Sequence, residues 1–184
     1  NLKNATGATL ATAIGPGAPN QILKGDSVDY GFRVGATLTP LQGTTIGIAY
    51  RSSIRQTLEG TISTVAGVAP IKANLNLPDS VVFGVSQVIN DQWQAHLGVE
   101  WTNWSRFRRI PIVSEITGTP ISSLNFVYDD SWYFSGGLEY KYNQALTLRA
   151  GVAYELSAVN DTNRTVFISD NDRLWLSAGA SYQA

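Results

Sequence analysis

The sequence contains no cysteine and no methionine, and His96 is its single histidine. Without thiols, disulfide frameworks, Cys-ligated zinc and thiol catalysis are excluded, and one imidazole cannot build a His-rich metal site. Nothing in the chain calls for a cofactor. Charge is scarce as well: 15% of the 184 residues are charged, and 13 basic against 14 acidic side chains leave a formal net charge of -1. No basic face exists to displace phosphate counterions, which excludes a nucleic-acid partner. Scarce charge together with 10% aromatics also excludes intrinsic disorder. No run approaches the roughly 18 consecutive apolar residues of a membrane-spanning helix. A transmembrane strand needs only about 9–11 residues of alternating character, so the membrane itself stays open as a location. The chain also lacks a charged-then-apolar leader, and with no initiator methionine the expectation is an internal piece of something longer.

What is present is period two. Tyr30, Phe32, Val34, Ala36 and Leu38 alternate with Gly31, Arg33, Gly35, Thr37 and Thr39. The same parity resumes after Leu41-Gln42-Gly43 as Ile46, Ile48, Tyr50, Ile54 and Leu58, opposed by Thr45, Gly47, Arg51, Arg55, Thr57 and Glu59. Further stripes are Val81, Phe83, Val85; Trp93, Ala95, Leu97, Val99, Trp101; Trp132, Phe134, Leu138, Tyr140; Leu146, Leu148, Ala150, Val152, Tyr154; and Leu174, Leu176, Ala178, Ala180, Tyr182. Such alternation is a strand signal, and it predicts an all-β antiparallel meander of about seven strands.

Short connections fall at residues 41–43, 90–92 and 143–145; long ones cover about 60–70, 107–125 and 156–171. Outer-membrane barrels have this asymmetry of tight turns at one end and long loops at the other. Aromatics near the stripe ends (Tyr30, Tyr50, Trp93, Trp101, Trp132, Tyr140, Tyr154, Tyr182) match interface girdles. A soluble sandwich or lipocalin-like barrel also alternates, with its apolar side inward. Its wet face is normally rich in Lys and Glu, whereas the polar stripe here is Gly, Ser, Thr, Gln and a few charges, which suits a lumen. Residues 1–28, rich in Ala, Thr, Gly and Pro, read as a loop segment preceding a wall that spans 29–184.

Several motifs, in order, resemble the long-chain fatty-acid transporter family of Gram-negative outer membranes, which includes aromatic-hydrocarbon uptake channels. They are Tyr50-Arg51-Ser52, Leu75-Asn76-Leu77-Pro78, Trp101-Thr102-Asn103-Trp104-Ser105, Leu148-Arg149-Ala150-Gly151 with Asn163-Arg164, and the stretch from Asp170 to Gly179. The resemblance implies part of a 14-stranded transmembrane β-barrel. It also implies that the N-terminal hatch, the terminal aromatic residue and the remaining strands lie outside this chain. Residues 1–28 then match a long extracellular loop that helps to capture substrate. The implied function is passive uptake of long-chain fatty acids or other hydrophobic molecules, with outer-membrane lipid around the wall and sideways exit past a displaced hatch. A general porin, a structural barrel and a soluble lipid-binding barrel stand as alternatives.

Keeping stripe parity through each short turn requires an odd number of turn residues, three in the simplest case. That choice places Arg149 opposite Glu139, Arg33 opposite Arg51 with Asp29 facing Arg55 nearby, and His96 opposite Ser86. Like charges directly opposite are destabilising, so something anionic is expected near Arg33 and Arg51. Either Glu59 or Glu100 closes a salt-bridge network there, or a substrate carboxylate binds in the guanidinium forks. The candidate ligand-binding residues in the lumen are Arg33, Arg51, Arg55, Trp104, Arg149 and Arg173, with Glu139–Arg149 as a structural pair. Trp104 is read either as a stacking surface for an apolar ligand or as loop packing. Ser86 with His96 lacks the orienting third group and the G-x-S-x-G elbow of a hydrolase, so the chain is read as a non-enzyme. Asp170-Asn171-Asp172 lacks the Gly and closing Glu of a calcium loop and reads as a turn leading into a strand. The sequons at Asn4 and Asn163 carry no weight in a bacterial outer membrane.

Overall fold

A computed structural model of the chain describes residues 23–26, 29–64, 67–107, 109–162, 164 and 170–183. They form β1 (Leu23–Asp26), β2 (Arg33–Leu41), β3 (Thr44–Arg51), β4 (Ile54–Thr64), β5 (Gly67–Leu77), β6 (Ser80–Val88), β7 (Trp93–Thr102), β8 (Arg109–Ser114), β9 (Pro120–Asn125), β10 (Ser131–Lys141), β11 (Leu146–Leu156) and β12 (Arg173–Tyr182). A single 3₁₀ turn, Trp104–Arg106, interrupts them. Every pairing is antiparallel, and the strands divide into a seven-stranded sheet, β12-β11-β10-β7-β6-β3-β2, and a five-stranded sheet, β1-β4-β5-β8-β9.

The seven-stranded sheet is the meander expected from the stripes, with β2 and β12 at its two edges. Its strands have transmembrane length, up to 11 residues in β10 and β11. The apolar face stays uncovered: Phe32 is 62% exposed, Ile48 53%, Leu97 66% and Leu148 41%. Among the described residues these side chains do not converge on a sealed interior, the arrangement that a soluble sandwich or a lipocalin-like barrel has.

The three tight turns keep the register that parity demanded. In two of them an asparagine organises the loop, its side-chain oxygen accepting two backbone N–H groups: Asn90 from Gln92 and Trp93, and Asn143 from Ala145 and Leu146. The third turn places Gly43 at φ 81 and shifts register between Leu38 and Leu41, the bulged form of a three-residue hairpin in which only glycine sits without strain.

The five-stranded sheet corrects the loop assignment. Residues 60–70 belong to the β4–β5 hairpin and residues 107–125 contain the β8–β9 hairpin. Ile54 and Leu58 therefore leave the wall stripe and enter the second sheet. The cause is local: the Ser52 hydroxyl accepts the Phe32 N–H while the Ser52 N–H reaches the Phe32 carbonyl, closing the β2–β3 ladder before residue 54. Period two continues past that break, and alternation does not reveal that the sheet has changed.

This sheet has a conventional core. Ile71, Ala73, Ile110 and Ile112 are buried, with Leu58, Ala69, Leu75, Phe107 and Phe126 packed against them. The chain accordingly separates into two compact units, residues 1–30, 54–77 and 106–127 in one and the wall residues in the other, so the wall expected over 29–184 is interrupted twice. Of the loop segment expected over 1–28, residues 23–26 form β1 against β4, and the others lie outside the described residues. The sequon asparagines Asn4 and Asn163 also lie outside the described residues.

Candidate functional site

Directly paired residues in an antiparallel sheet share a face, so the register assembles the polar face of the wall row by row. One row carries Arg33, Arg51, Ser80, Thr102 and Ser131; the next carries Gly35, Ala49, Val82, Glu100, Tyr133, Glu155 and Arg173. Deeper rows are dominated by small residues, among them Gly47, Gly84, Gly98, Gly137 and Gly151. At Gly35, on the same face, close approach requires glycine: a Cβ there meets the Ile48 backbone carbonyl at 2.9 Å. A cavity of about 560 Å³ lies over β7, β10, β11 and β12, with His96, Tyr133, Glu139, Arg149, Trp175 and Ser177 among its lining.

All three cross-strand pairs read from the turns are present. Arg149 Nε donates to Glu139 Oε2 at 2.6 Å while its Nη1 reaches the Ser181 hydroxyl. Ser86 Oγ and His96 Nδ1 are 2.8 Å apart, and no carboxylate among the described residues completes a triad with them. Arg33 stands opposite Arg51, and neither side chain has a hydrogen bond or ion pair among the described residues.

The remaining candidates are placed differently. Arg55 is on β4 opposite Asn76, so it belongs to the second sheet and not to the wall that carries Arg33 and Arg51. Glu59, also on β4, pairs with Lys72 at 3.2 Å and makes no ion pair with either arginine among the described residues. Arg173 is held by Asp170 and, at 3.7 Å, by Glu155. Trp104, in the 3₁₀ turn, meets Tyr128 edge-on at 6.3 Å, which is the packing alternative.

A feature that sequence reasoning missed recurs three times at the long-loop rim. An aromatic near the end of one strand donates diagonally to the aspartate that opens the next. Tyr50 Oη reaches Asp79 at 3.4 Å, Trp101 Nε1 reaches Asp130 at 3.1 Å, and Tyr154 Oη reaches Asp172 at 3.0 Å. Each aspartate lies two residues before the residue paired with the aromatic: Val81, Trp132 and Leu174. The signal was legible in Asp79-Ser80, Asp130-Ser131 and Asp172-Arg173, each opening a stripe. The latches extend into the loops. Asp79 also accepts from Asn103, Asp130 from the Ser105 N–H, and Asp172 from the Ser157 N–H. Burial pushes the Asp170 carboxyl up, but the Ser157 hydroxyl, the Arg173 guanidinium and the Asn171 backbone outweigh it and hold the group below its ordinary value. Burial, and then the Asp170 charge, push the Tyr128 hydroxyl up. These contacts make residues 170–172 a strand-opening turn.

Strands of transmembrane length, apolar and uncovered on one face, polar and glycine-rich on the other, with aromatic handles tied along one rim, define the wall of an outer-membrane β-barrel. Residues 2–184 match the family described as outer membrane protein transport protein (OMPP1/FadL/TodX), and the chain belongs to that family. It is 29% identical over 179 residues to the 47 kDa outer membrane protein of Pasteurella multocida, covering 88% of this chain and 41% of that protein. It is 27% identical over 194 residues to the long-chain fatty acid transport protein of Escherichia coli, covering 95% and 43%. Among solved structures, a FadL homologue of Pseudomonas aeruginosa superimposes with a TM-score of 0.77 at 27% identity, over 91% of this chain and 44% of that one. The toluene transporter TodX of Pseudomonas putida shares the fold with a TM-score of 0.58 at 22% identity. The chain spans about two-fifths of the length of the curated relatives it matches. It is an outer-membrane protein of a family of transport channels for hydrophobic compounds.

Proposed function

We propose that the protein containing this chain carries hydrophobic molecules, long-chain fatty acids or other apolar compounds, passively across the outer membrane. The observation that carries this reading is the family match over residues 2–184, to which relatives named as fatty acid transport proteins and a toluene transporter belong. The geometry is compatible in two respects. The wall turns its apolar side to lipid and leaves an inner face of small residues with room for a solute. The β8–β9 hairpin exposes Ile116 and Ile121, apolar side chains suited to first contact with a greasy solute in the loops. Apolar solutes partition from water onto such surfaces, and net flow follows the concentration gradient.

The test is uptake of labelled oleate and labelled toluene by cells that lack their own outer-membrane route and express the full-length protein. Saturable uptake of at least one above the vector control is expected. No increase for either contradicts the proposal. The double substitution Ile116→Ser with Ile121→Ser is expected to lower uptake at low solute concentration several-fold, with little change at saturation.

A further inference from the structure

We infer that Asp79, Asp130 and Asp172 are positioning residues for solute capture, because with their donors they tie the three long connections of the wall into one hydrogen-bonded belt. The inference rests on the uptake reading, and it names what keeps the capturing loops ready to bind.

The belt runs residue by residue along the long-loop rim. Tyr50 Oη donates to the Asp79 carboxylate, which also accepts from Asn103 Nδ2 at 3.1 Å, and the Asn103 N–H donates to the Asp79 carbonyl at 2.9 Å. Ser105 Oγ donates to Asn103 Oδ1 at 2.9 Å, while the Ser105 N–H donates to Asp130 Oδ1 at 3.0 Å. Trp101 Nε1 donates to the other Asp130 oxygen. The adjacent Asp129 carries the belt onward. Its carboxylate accepts from Asn160 Nδ2 at 2.6 Å, and its N–H donates to the Ala158 carbonyl at 3.0 Å. Ser157 then donates through its N–H to Asp172 and through its hydroxyl to Asp170, and Tyr154 Oη ends the line on Asp172. Connections 52–79, 103–130 and 157–172 are thereby joined at the rim ends of β3, β6, β7, β10, β11 and β12.

Aspartate suits these junctions for a physical reason. Parity places each one on the face of Val81, Trp132 or Leu174, at the edge of the apolar stripe, where a carboxylate without donors is costly. Its two oxygens divide the work identically all three times: one takes the strand aromatic and the other takes a donor from a long connection. Such charge-assisted bonds are stronger than neutral ones. Asp130 and Ser105 are the two feet of the connection that carries the β8–β9 hairpin with Ile116 and Ile121. A loop held in its binding arrangement spares the solute the cost of ordering it, so the belt acts on affinity more than on the rate of passage.

The experiment measures uptake of labelled oleate and toluene against concentration in cells expressing the full-length protein, and trypsin cleavage at the exposed Arg106 and Arg109 on the same cells. Asp130→Ala is expected to raise the half-saturating concentration about fivefold or more, with the maximal rate within about twofold, and to speed cleavage about fivefold. Asp130→Glu keeps both acceptor oxygens and is expected to restore affinity to within about twofold. Asp79→Ala and Asn160→Ala cut the belt in the neighbouring connections, and each is expected to speed cleavage at Arg106 and Arg109 about twofold or more. Asp91→Ala, at the short-turn end, is the control and changes neither readout. An unchanged half-saturating concentration in Asp130→Ala, or a fall in maximal rate alone, overturns the positioning role. If that variant does not reach the membrane, Trp101→Phe removes a single donor and is expected to raise the half-saturating concentration about twofold, and no change there overturns the role equally. Cleavage that responds to Asp130→Ala but to neither neighbouring cut overturns the belt. If the wild type takes up neither solute, the uptake reading has failed and the cleavage series decides the belt alone. Acceleration by all three cuts supports it, and equal rates reject it.

Discussion

The two sheets use the same alternating sequence pattern for opposite purposes. In the seven-stranded wall the apolar stripe is left uncovered, and Leu97 and Leu176 are 66% and 80% exposed. In the five-stranded sheet the apolar positions of β5 and β8 close on one another, and Ile71 is 1% exposed. Period two therefore reports that a strand has two faces; it does not report which solvent the apolar face meets. What separates the sheets is the chemistry of the other face. The wall's is built largely from glycine, serine and threonine with a few charges, whereas the second sheet carries Arg55, Thr57, Glu59, Lys72 and Asn74 together on two adjacent strands.

This contrast can be broken in both directions. The largest effect is expected in the second sheet, where Ile71→Ala opens a cavity in a closed core and should cost about 2–5 kcal/mol, read as a lower unfolding midpoint of the full-length protein. Leu97→Arg should cost about 2–4 kcal/mol in bilayers because it places a charge on the lipid face, whereas the same change at exposed Thr61 of β4 should be nearly neutral. Equal tolerance at both positions would erase the distinction between the sheets. The smallest effect concerns the rim. The Asp170 carboxyl lies below its ordinary value in the folded state, so its contribution is present above the unfolded value and is lost as pH falls through the folded one. Proteolysis within residues 157–170 should therefore accelerate only in that acidic window, and Asp170→Asn should make cleavage independent of pH there.

The register of the wall was legible because three tight turns, each of odd length, fix which residues face each other. Arg149 with Glu139, Arg33 with Arg51 and Ser86 with His96 followed from counting alone. The departure at Ser52-Ser53 was not legible, because the stripe of Ile54 and Leu58 continues in phase with that of Ile48 and Tyr50 across a change of sheet. Arg55 and Glu59 were misplaced for that reason. The rim latches escaped because the sequence shows an aspartate opening each stripe but not its aromatic partner, which lies 18 to 29 positions away across the diagonal of the sheet. For the arginine row the sequence showed the like-charge pair. It did not show that Ser80 and Thr102 complete the same register row.

The central claim is that the stripe containing Leu97 meets hydrocarbon while its neighbours meet water. The chain has no cysteine, so single cysteines can be placed at His96, Leu97, Gly98 and Val99 of the full-length protein, spin-labelled and reconstituted in vesicles. Collision with oxygen, which concentrates in lipid, should be high at 97 and 99 and low at 96 and 98, with a water-soluble nickel chelate giving the inverse pattern. Nickel access at 97 and 99 equal to that at 96 and 98, or greater, would contradict the account.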